Sequence, residues 1–283
     1  MSSPAATIGV IGGGTMGAGI AHVLAEQGRP VVVLEASAQA AADAAGRVER
    51  SMRAAQERGK LARPIAEALS GIAFATDVKA LSDAGFIIET VPEDALLKRH
   101  VLSRVEAVVG DSVTVATNTS SLSIATLAAG ARAPARFVGM HFFNPVPASK
   151  LIEIVRGPET GDEAVRNAAE LAAVAGKETI TVRDSPGFAT SRLGVILGLE
   201  AIRMVEEGVA DAADIDRGMM LGYRHPMGPL RLTDLVGLDV RLNISEYLAE
   251  QLGERFAPPA LLRSLVANGH LGQKTGRGFY VWE

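Results

Sequence analysis

A chain of 283 residues, 48% hydrophobic and 21% charged, has the make-up of a folded globular protein and is long enough for two cores. Its formal charge of −4, from 28 Lys and Arg against 32 Asp and Glu, leaves no global positive field to draw nucleic acid or an anionic membrane. The absence of cysteine excludes disulfides, thiolate catalysis and Cys-ligated zinc, and fits a reducing, cytoplasmic setting.

Met1 to Thr7 carry no basic flank of the kind a signal peptide needs. The apolar stretch Leu193 to Ile202 is only half of the roughly 20 residues that span a bilayer, so no membrane partner is expected.

Short β-branched runs predict strands at Thr7–Ile11, Val31–Leu34, Phe86–Glu89, Val113–Thr117 and Phe137–Met140, separated by alanine-rich helical stretches. Ala38–Leu69, broken at Gly59 and Pro64, reads as a helical hairpin inserted beside the sheet. Runs at Leu151–Val155 and Thr179–Val182, flanking a helical Asp162–Ala175, extend the sheet at its edge.

From Ser185 the period becomes helical. Leu193, Ile196, Leu197, Leu199, Ala201, Ile202 and Val205 form one apolar set, and Leu235, Leu238, Leu242 and Tyr247 another. Pro186 is placed to begin a helix, and Gly208, Gly222, Gly253 and Gly269 to end them. The expected architecture is α/β, a Rossmann-type doubly wound sheet with an inserted helical hairpin over residues 1–184, followed by an all-α domain over 185–283.

Ile8-Gly9-Val10-Ile11-Gly12-Gly13-Gly14-Thr15-Met16-Gly17 sets Gly12, Gly14 and Gly17 at the three positions of the dinucleotide fingerprint, between a strand and a helix. Gly12 allows the tight turn, Gly14 lets backbone approach a pyrophosphate, and Gly17 allows close helix–strand packing. The N–H groups around Thr15 and Met16 face the phosphates. Glu35, 18 residues after Gly17 at the end of the next strand, suits a ribose diol and repels a 2′-phosphate; no Arg follows closely to offset it. NAD is the expected cofactor.

Thr117-Asn118-Thr119-Ser120-Ser121-Leu122-Ser123 leaves a strand at the carboxyl edge of the sheet, where plain turn and capping chemistry is the alternative to ligand binding. His141 ends the strand after it. Glu153 stands inside the apolar run Leu151-Ile152-Glu153-Ile154-Val155, where an unpaired charge is costly. Two placements are open for Glu153: solvent, from an edge strand, or the His141 imidazole, where it would orient a general base.

These residues resemble the L-3-hydroxyacyl-CoA dehydrogenase family. The likeness runs from the glycine fingerprint through Asn118-Thr119-Ser120-Ser121-Leu122, His141-Phe142-Phe143-Asn144-Pro145, Asp184-Ser185-Pro186-Gly187-Phe188 and His225-Pro226-Met227-Gly228-Pro229 to Gly272-Gln273-Lys274-Thr275-Gly276-Arg277-Gly278-Phe279-Tyr280, essentially the whole chain. The resemblance implies oxidation of a short-chain 3-hydroxyacyl-CoA in fatty acid metabolism. His141 is then the base, Glu153 its partner, and Ser120 the group that holds the 3-oxygen.

By the same resemblance Asn118, Asn144, Glu93 and Lys98 line the cofactor, and Lys274 reaches it. Ser51 and Arg58 contact coenzyme A, and the chain is a homodimer through its C-terminal helices. Arg47 and Arg50 share a side of the helix with Ser51 and Arg58; an ordinary solvated face is the alternative. Ser191 stands where the family has Asn as a further substrate contact, which leaves substrate range open. Two other functions fit the scaffold: a dehydrogenase of a free sugar acid such as gulonate, and a catalytically silent NAD-binding protein.

Overall fold

The computed structural model describes residues 6–282, so most of the N-terminal segment read for a signal flank lies outside the described residues. The chain divides into two compact units, Met1–Asp184 and Ser185–Glu283. No described helix is long and apolar enough to cross a membrane.

The first unit runs β1 (Thr7–Ile11), α1 (Thr15–Glu26), β2 (Val31–Leu34), α2 (Ala38–Glu57), α3 (Ile65–Ser70) and β3 (Ile72–Ala75). It continues with β4 (Ala84–Glu89), α4 (Ala95–Glu106), β5 (Thr114–Thr117), α5 (Ile124–Ala128), β6 (Phe137–Phe142), β7 (Leu151–Arg156), α6 (Asp162–Val174) and β8 (Glu178–Arg183). The strands form one sheet in the order β3-β2-β1-β4-β5-β6-β7-β8. Every pairing is parallel except that of β6 with β7.

The near-continuous apolar strands are explained by burial on both faces. Val10, Val33, Ile88, Val138 and Ile154 pack with Ile20 and Leu24 of α1, Val48 and Met52 of α2 and Ala168 of α6. On the other face Ile87 and Val115 meet Leu102 and Val105 of α4 and Leu127 of α5. Ser37 caps α2 by accepting from Ala40 N–H at 3.2 Å, and Ala41, Ala44, Val48 and Met52 make its buried stripe.

Edge strand β3 goes beyond the sequence expectation. The four residues Ile72-Ala73-Phe74-Ala75 carry one β-branched side chain and no clean alternation, so strand identity comes from the ladder with β2 rather than from local pattern.

The second unit contains α7 (Thr190–Glu206), α8 (Ala212–Gly222), α9 (Pro229–Val236), α10 (Leu238–Leu252) and α11 (Ala260–Ala267). Here α7 starts four residues after Pro186, later than the proline suggests, because Gly187 and Phe188 take φ of 72° and 50° and turn the chain first. Two buried carboxylates tie the unit together. Asp216 accepts from Leu230 and Arg231 N–H at 2.8 and 2.9 Å, in the first turn of α9, and from the Tyr280 hydroxyl at 2.7 Å. Asp234 accepts from Phe279 and Tyr280 N–H, both at 2.9 Å, and from the Trp282 indole at 2.8 Å. A Cβ on Gly228 would fall 2.1 Å from Asp216 Cγ, and one on Gly278 2.2 Å from Asp234 Oδ1. The Pro-Met-Gly-Pro and C-terminal glycine motifs are therefore seats for these two acids.

Candidate active site

Chain direction across the sheet reverses between β1 and β4, since β1 leads outward to β2 and β4 leads the other way to β5. Ligands of open α/β sheets bind outside the carboxyl ends of the strands at such a switch point. The turn from β1 into α1 lies there. Gly12 has φ of 90°, and a Cβ on Gly17 would lie 1.8 Å from the Gly12 carbonyl oxygen, so α1 sits on its strand only because Gly17 has none.

Gly14 differs: no atom lies within 4 Å of its missing Cβ. The first α1 bond runs from Ala18 N–H to the Gly14 carbonyl, and Gly14 offers no side-chain cap, so the N–H groups ahead of Ala18 have no intrahelical acceptor. Open space over Gly14 beside those donors and the positive end of the helix dipole fits a diphosphate. Glu35 directly follows β2, and its Oε1 accepts from Gly13 N–H at 2.6 Å. An arginine does reach this turn, which reading along the chain did not anticipate: Arg47, from α2, donates to the Gly13 carbonyl at 3.2 Å.

At the ends of β4 and β5 lies a polar network centred on Glu89, a fully buried carboxylate that sequence reasoning left without a role. Glu89 accepts from Lys98 Nζ at 2.8 Å, Thr117 Oγ1 at 2.6 Å and Val91 N–H at 2.7 Å. Lys98, itself buried, also lies 3.4 Å from Glu93. Glu93 in turn accepts from Thr119 Oγ1 at 2.5 Å and from Ser120 N–H at 3.0 Å, with Ser120 Oγ at 3.4 Å. The Ser120 loop is thus held to β4 by an acid–lysine–acid relay. The signal for Glu89 was present, an acid closing an apolar strand nine residues before a lysine. Thr90 adds a second tie, its hydroxyl donating to the Gly12 and Ile11 carbonyls at 2.6 and 3.0 Å.

His141, on β6, stands directly opposite Glu153, on β7, in the antiparallel register. Cross-strand partners of this kind bring side chains together on one face. His141 Nδ1 lies 3.0 Å from Glu153 Oε2, with Glu153 fully buried. An ionised carboxylate only accepts, so Nδ1 carries the proton and Nε2 holds the lone pair of the neutral ring. Phe143 packs against the imidazole with ring centroids 4.4 Å apart. Asn118 Oδ1 accepts from Phe142 N–H at 2.8 Å, fixing the ends of β5 and β6 together.

Thr15, Arg47, Arg50, Ser51 and the segment Asn144–Pro147 line a cleft of about 190 Å³ in the first unit. Ser51 faces this cleft and also shares a 2.8 Å hydrogen bond with Nδ1 of the buried His22. Arg58 stands apart from it, at the C-terminal cap of α2. In the second unit Ser191 lies half-buried in the first turn of α7, and Lys274 Nζ is bound to both oxygens of Asp239 at 2.5 and 2.6 Å. Burial alone would raise the Asp239 carboxyl, but the Lys274 hydrogen bond and backbone donors outweigh it and hold it below the usual carboxylate range.

A phosphate-binding turn and an imidazole–carboxylate pair on one α/β sheet define a dinucleotide-binding protein equipped for acid–base chemistry. Over residues 7–185 the chain matches the family described as 3-hydroxyacyl-CoA dehydrogenase, NAD binding domain, and over residues 187–282 the 3-hydroxyacyl-CoA dehydrogenase, C-terminal domain. It belongs to the 3-hydroxyacyl-CoA dehydrogenase family.

Among its relatives, the probable 3-hydroxybutyryl-CoA dehydrogenase of Deinococcus radiodurans is 41% identical over 97% of this chain and 99% of that one. The 3-hydroxybutyryl-CoA dehydrogenase of Mycobacterium tuberculosis is 41% identical over the whole of both. The solved (S)-3-hydroxybutyryl-CoA dehydrogenase of Ralstonia eutropha superposes with a TM-score of 0.93 at 39% identity, covering 99% of each chain.

Proposed function

We propose that the protein oxidises the 3-hydroxyl of a short-chain L-3-hydroxyacyl-CoA, 3-hydroxybutyryl-CoA first among them, with NAD, and catalyses the reverse reduction. The observation that carries this reading is the His141–Glu153 pair on the same sheet as the glycine turn. The Gly12-Gly13-Gly14 turn and the Thr15 and Met16 N–H groups hold the diphosphate, and Glu35 takes the ribose hydroxyls. Asn118, Asn144, Glu93, Lys98 and Lys274 line the remainder of the cofactor. Bound NAD supplies the hydride acceptor, and NADH the donor.

In oxidation His141 Nε2 takes the proton of the 3-hydroxyl while Glu153 keeps the ring in register and stabilises it once charged. Ser120 donates to the 3-oxygen from a loop fixed through Glu93, with Ser191 as a second, shorter donor. Ser51 and Arg58 hold the coenzyme A. A cytoplasmic location, where acyl-CoA and NAD are both available, goes with this reading.

The test is loss of reduced-nicotinamide absorbance with acetoacetyl-CoA, using acetoacetate and NADPH as controls. Turnover of the ester with NADH, and little with either control, is the expected result. A preference for the free acid would remove the acyl-CoA reading.

The same reading makes the protein a homodimer through its second unit. Leu193 on α7, Leu221 on α8, Tyr223 just after it, and Leu232, Leu235 and Val236 on α9 are all exposed there, between 39% and 76%. Large apolar side chains exposed in that number favour a covering partner. Light scattering should return the mass of two chains; the mass of one throughout a dilution series would refute it.

A further inference from the structure

The buried stripe of α10 is Leu238, Arg241, Ser245 and Leu248, a core stripe with a cation in it. Arg241 is only 5% exposed, and its Nε is buried with no hydrogen-bond partner among the described residues. Two acids of these helices, Asp234 on α9 and Asp239 on α10, are engaged elsewhere, the first by the C-terminal segment and the second by Lys274. Beside Arg241 the Thr233 hydroxyl, fully buried on α9, also lacks a partner. Burial draws the guanidinium down to about 10, which leaves it charged at neutral pH. An apolar side chain would make a more stable core than a lone buried charge, so the position has the character of a receptor for an anion.

The direction in which the guanidinium points narrows the choice of anion. Ser191, Gly194 and Gly198 share one face of α7 at helical spacing. A Cβ on Gly198 would lie 3.5 Å from Arg241 Nε, and one on Gly194 3.7 Å from Nη1. The guanidinium therefore runs along the two glycines toward the turn that holds Ser191. The planar fork matches a carboxylate with two parallel N–H donors, and Thr233 can add a third.

We propose that Arg241 and Thr233 receive a carboxylate at the far end of the substrate's acyl chain, so that the enzyme prefers ω-carboxyl 3-hydroxyacyl-CoA esters to those ending in a methyl group. This rests on the acyl-CoA reading above and on Ser191 as a substrate contact.

The test needs no variant to begin. In wild-type protein, kcat/KM with NADH is compared for 3-oxoadipyl-CoA and 3-oxohexanoyl-CoA, and for shorter and longer pairs, with acetoacetyl-CoA alongside. We expect the carboxylate ester to lead by about 10- to 100-fold at one chain length, the worth of hydrogen bonds to a charged group. Arg241→Met, checked for folding by circular dichroism, brings it down to its methyl-ended counterpart. Equal or better turnover of the methyl-ended esters at every length, with acetoacetyl-CoA still reduced, overturns the carboxylate receptor and leaves the proposed function standing. Silence with every CoA ester overturns both.

Discussion

Replacing His141 by alanine lowers turnover about 10²- to 10⁴-fold, the usual contribution of a positioned general base, while affinity for NADH stays at the wild-type value. The separation follows from where the groups sit. The imidazole is paired with Glu153 across β6 and β7 and packed on Phe143, whereas the phosphate-binding turn belongs to β1 and α1. Removing the ring leaves that turn untouched.

Glu153→Gln serves as the companion variant. An amide can present N–H to Nδ1 and reverse the tautomer, so turnover should fall by a similar order although the shape is preserved. Steady-state rates with acetoacetyl-CoA and a fluorescence titration with NADH decide the matter. An alanine variant of full activity would take His141 out of the mechanism.

The second large effect separates two glycines of one motif. Gly17→Ala puts a methyl carbon 1.8 Å from the Gly12 carbonyl oxygen and 2.6 Å from Thr90 Oγ1, so α1 must leave its strand. A cost of about 3 kcal/mol is expected for overpacking against backbone, seen as a lowered Tm. Gly14→Ala meets no protein atom within 4 Å, and its φ of −62° suits alanine. Its stability should match wild type within about 0.5 kcal/mol, yet NADH affinity should drop by about 10-fold or more as the methyl enters the space left for the diphosphate. Unchanged NADH binding in the Gly14 variant would mean that the phosphates lie elsewhere.

What could be read in the sequence is what local chemistry encodes. Glycines at fixed offsets, an acid after a short β-branched run, and a lone carboxylate in an apolar strand each carry their reason with them. Pairing partners are not local. The likeness of Glu153 to a base's orienting group was visible, but only the antiparallel register makes it the neighbour of His141.

Arg47 is distant along the chain from the turn it touches, and Ser51 reads as a surface residue until α1 brings His22 against it. Hydrophobic periodicity misleads where polar groups are buried. Leu235, Leu238, Leu242 and Tyr247 recur at helical spacing, yet Leu235 belongs to α9 and is exposed. The buried stripe of α10 is rotated to include Arg241 and Ser245.

The sheet changes direction once, between β6 and β7, and both members of the imidazole–carboxylate pair sit on that seam. Their separation is therefore set by a hydrogen-bonded ladder, not by the eight residues that connect the two strands. That connection has its own work, Phe143 packing on the imidazole and Asn144–Pro147 lining the cleft, while the spacing of the pair is stored in the weave of the backbone. The backbones that carry the pair part only if β7 unzips, and unzipping β7 also frees β8. Loss of the chemistry and loss of the sheet margin are then one event, which gives the centre the rigidity of the fold itself.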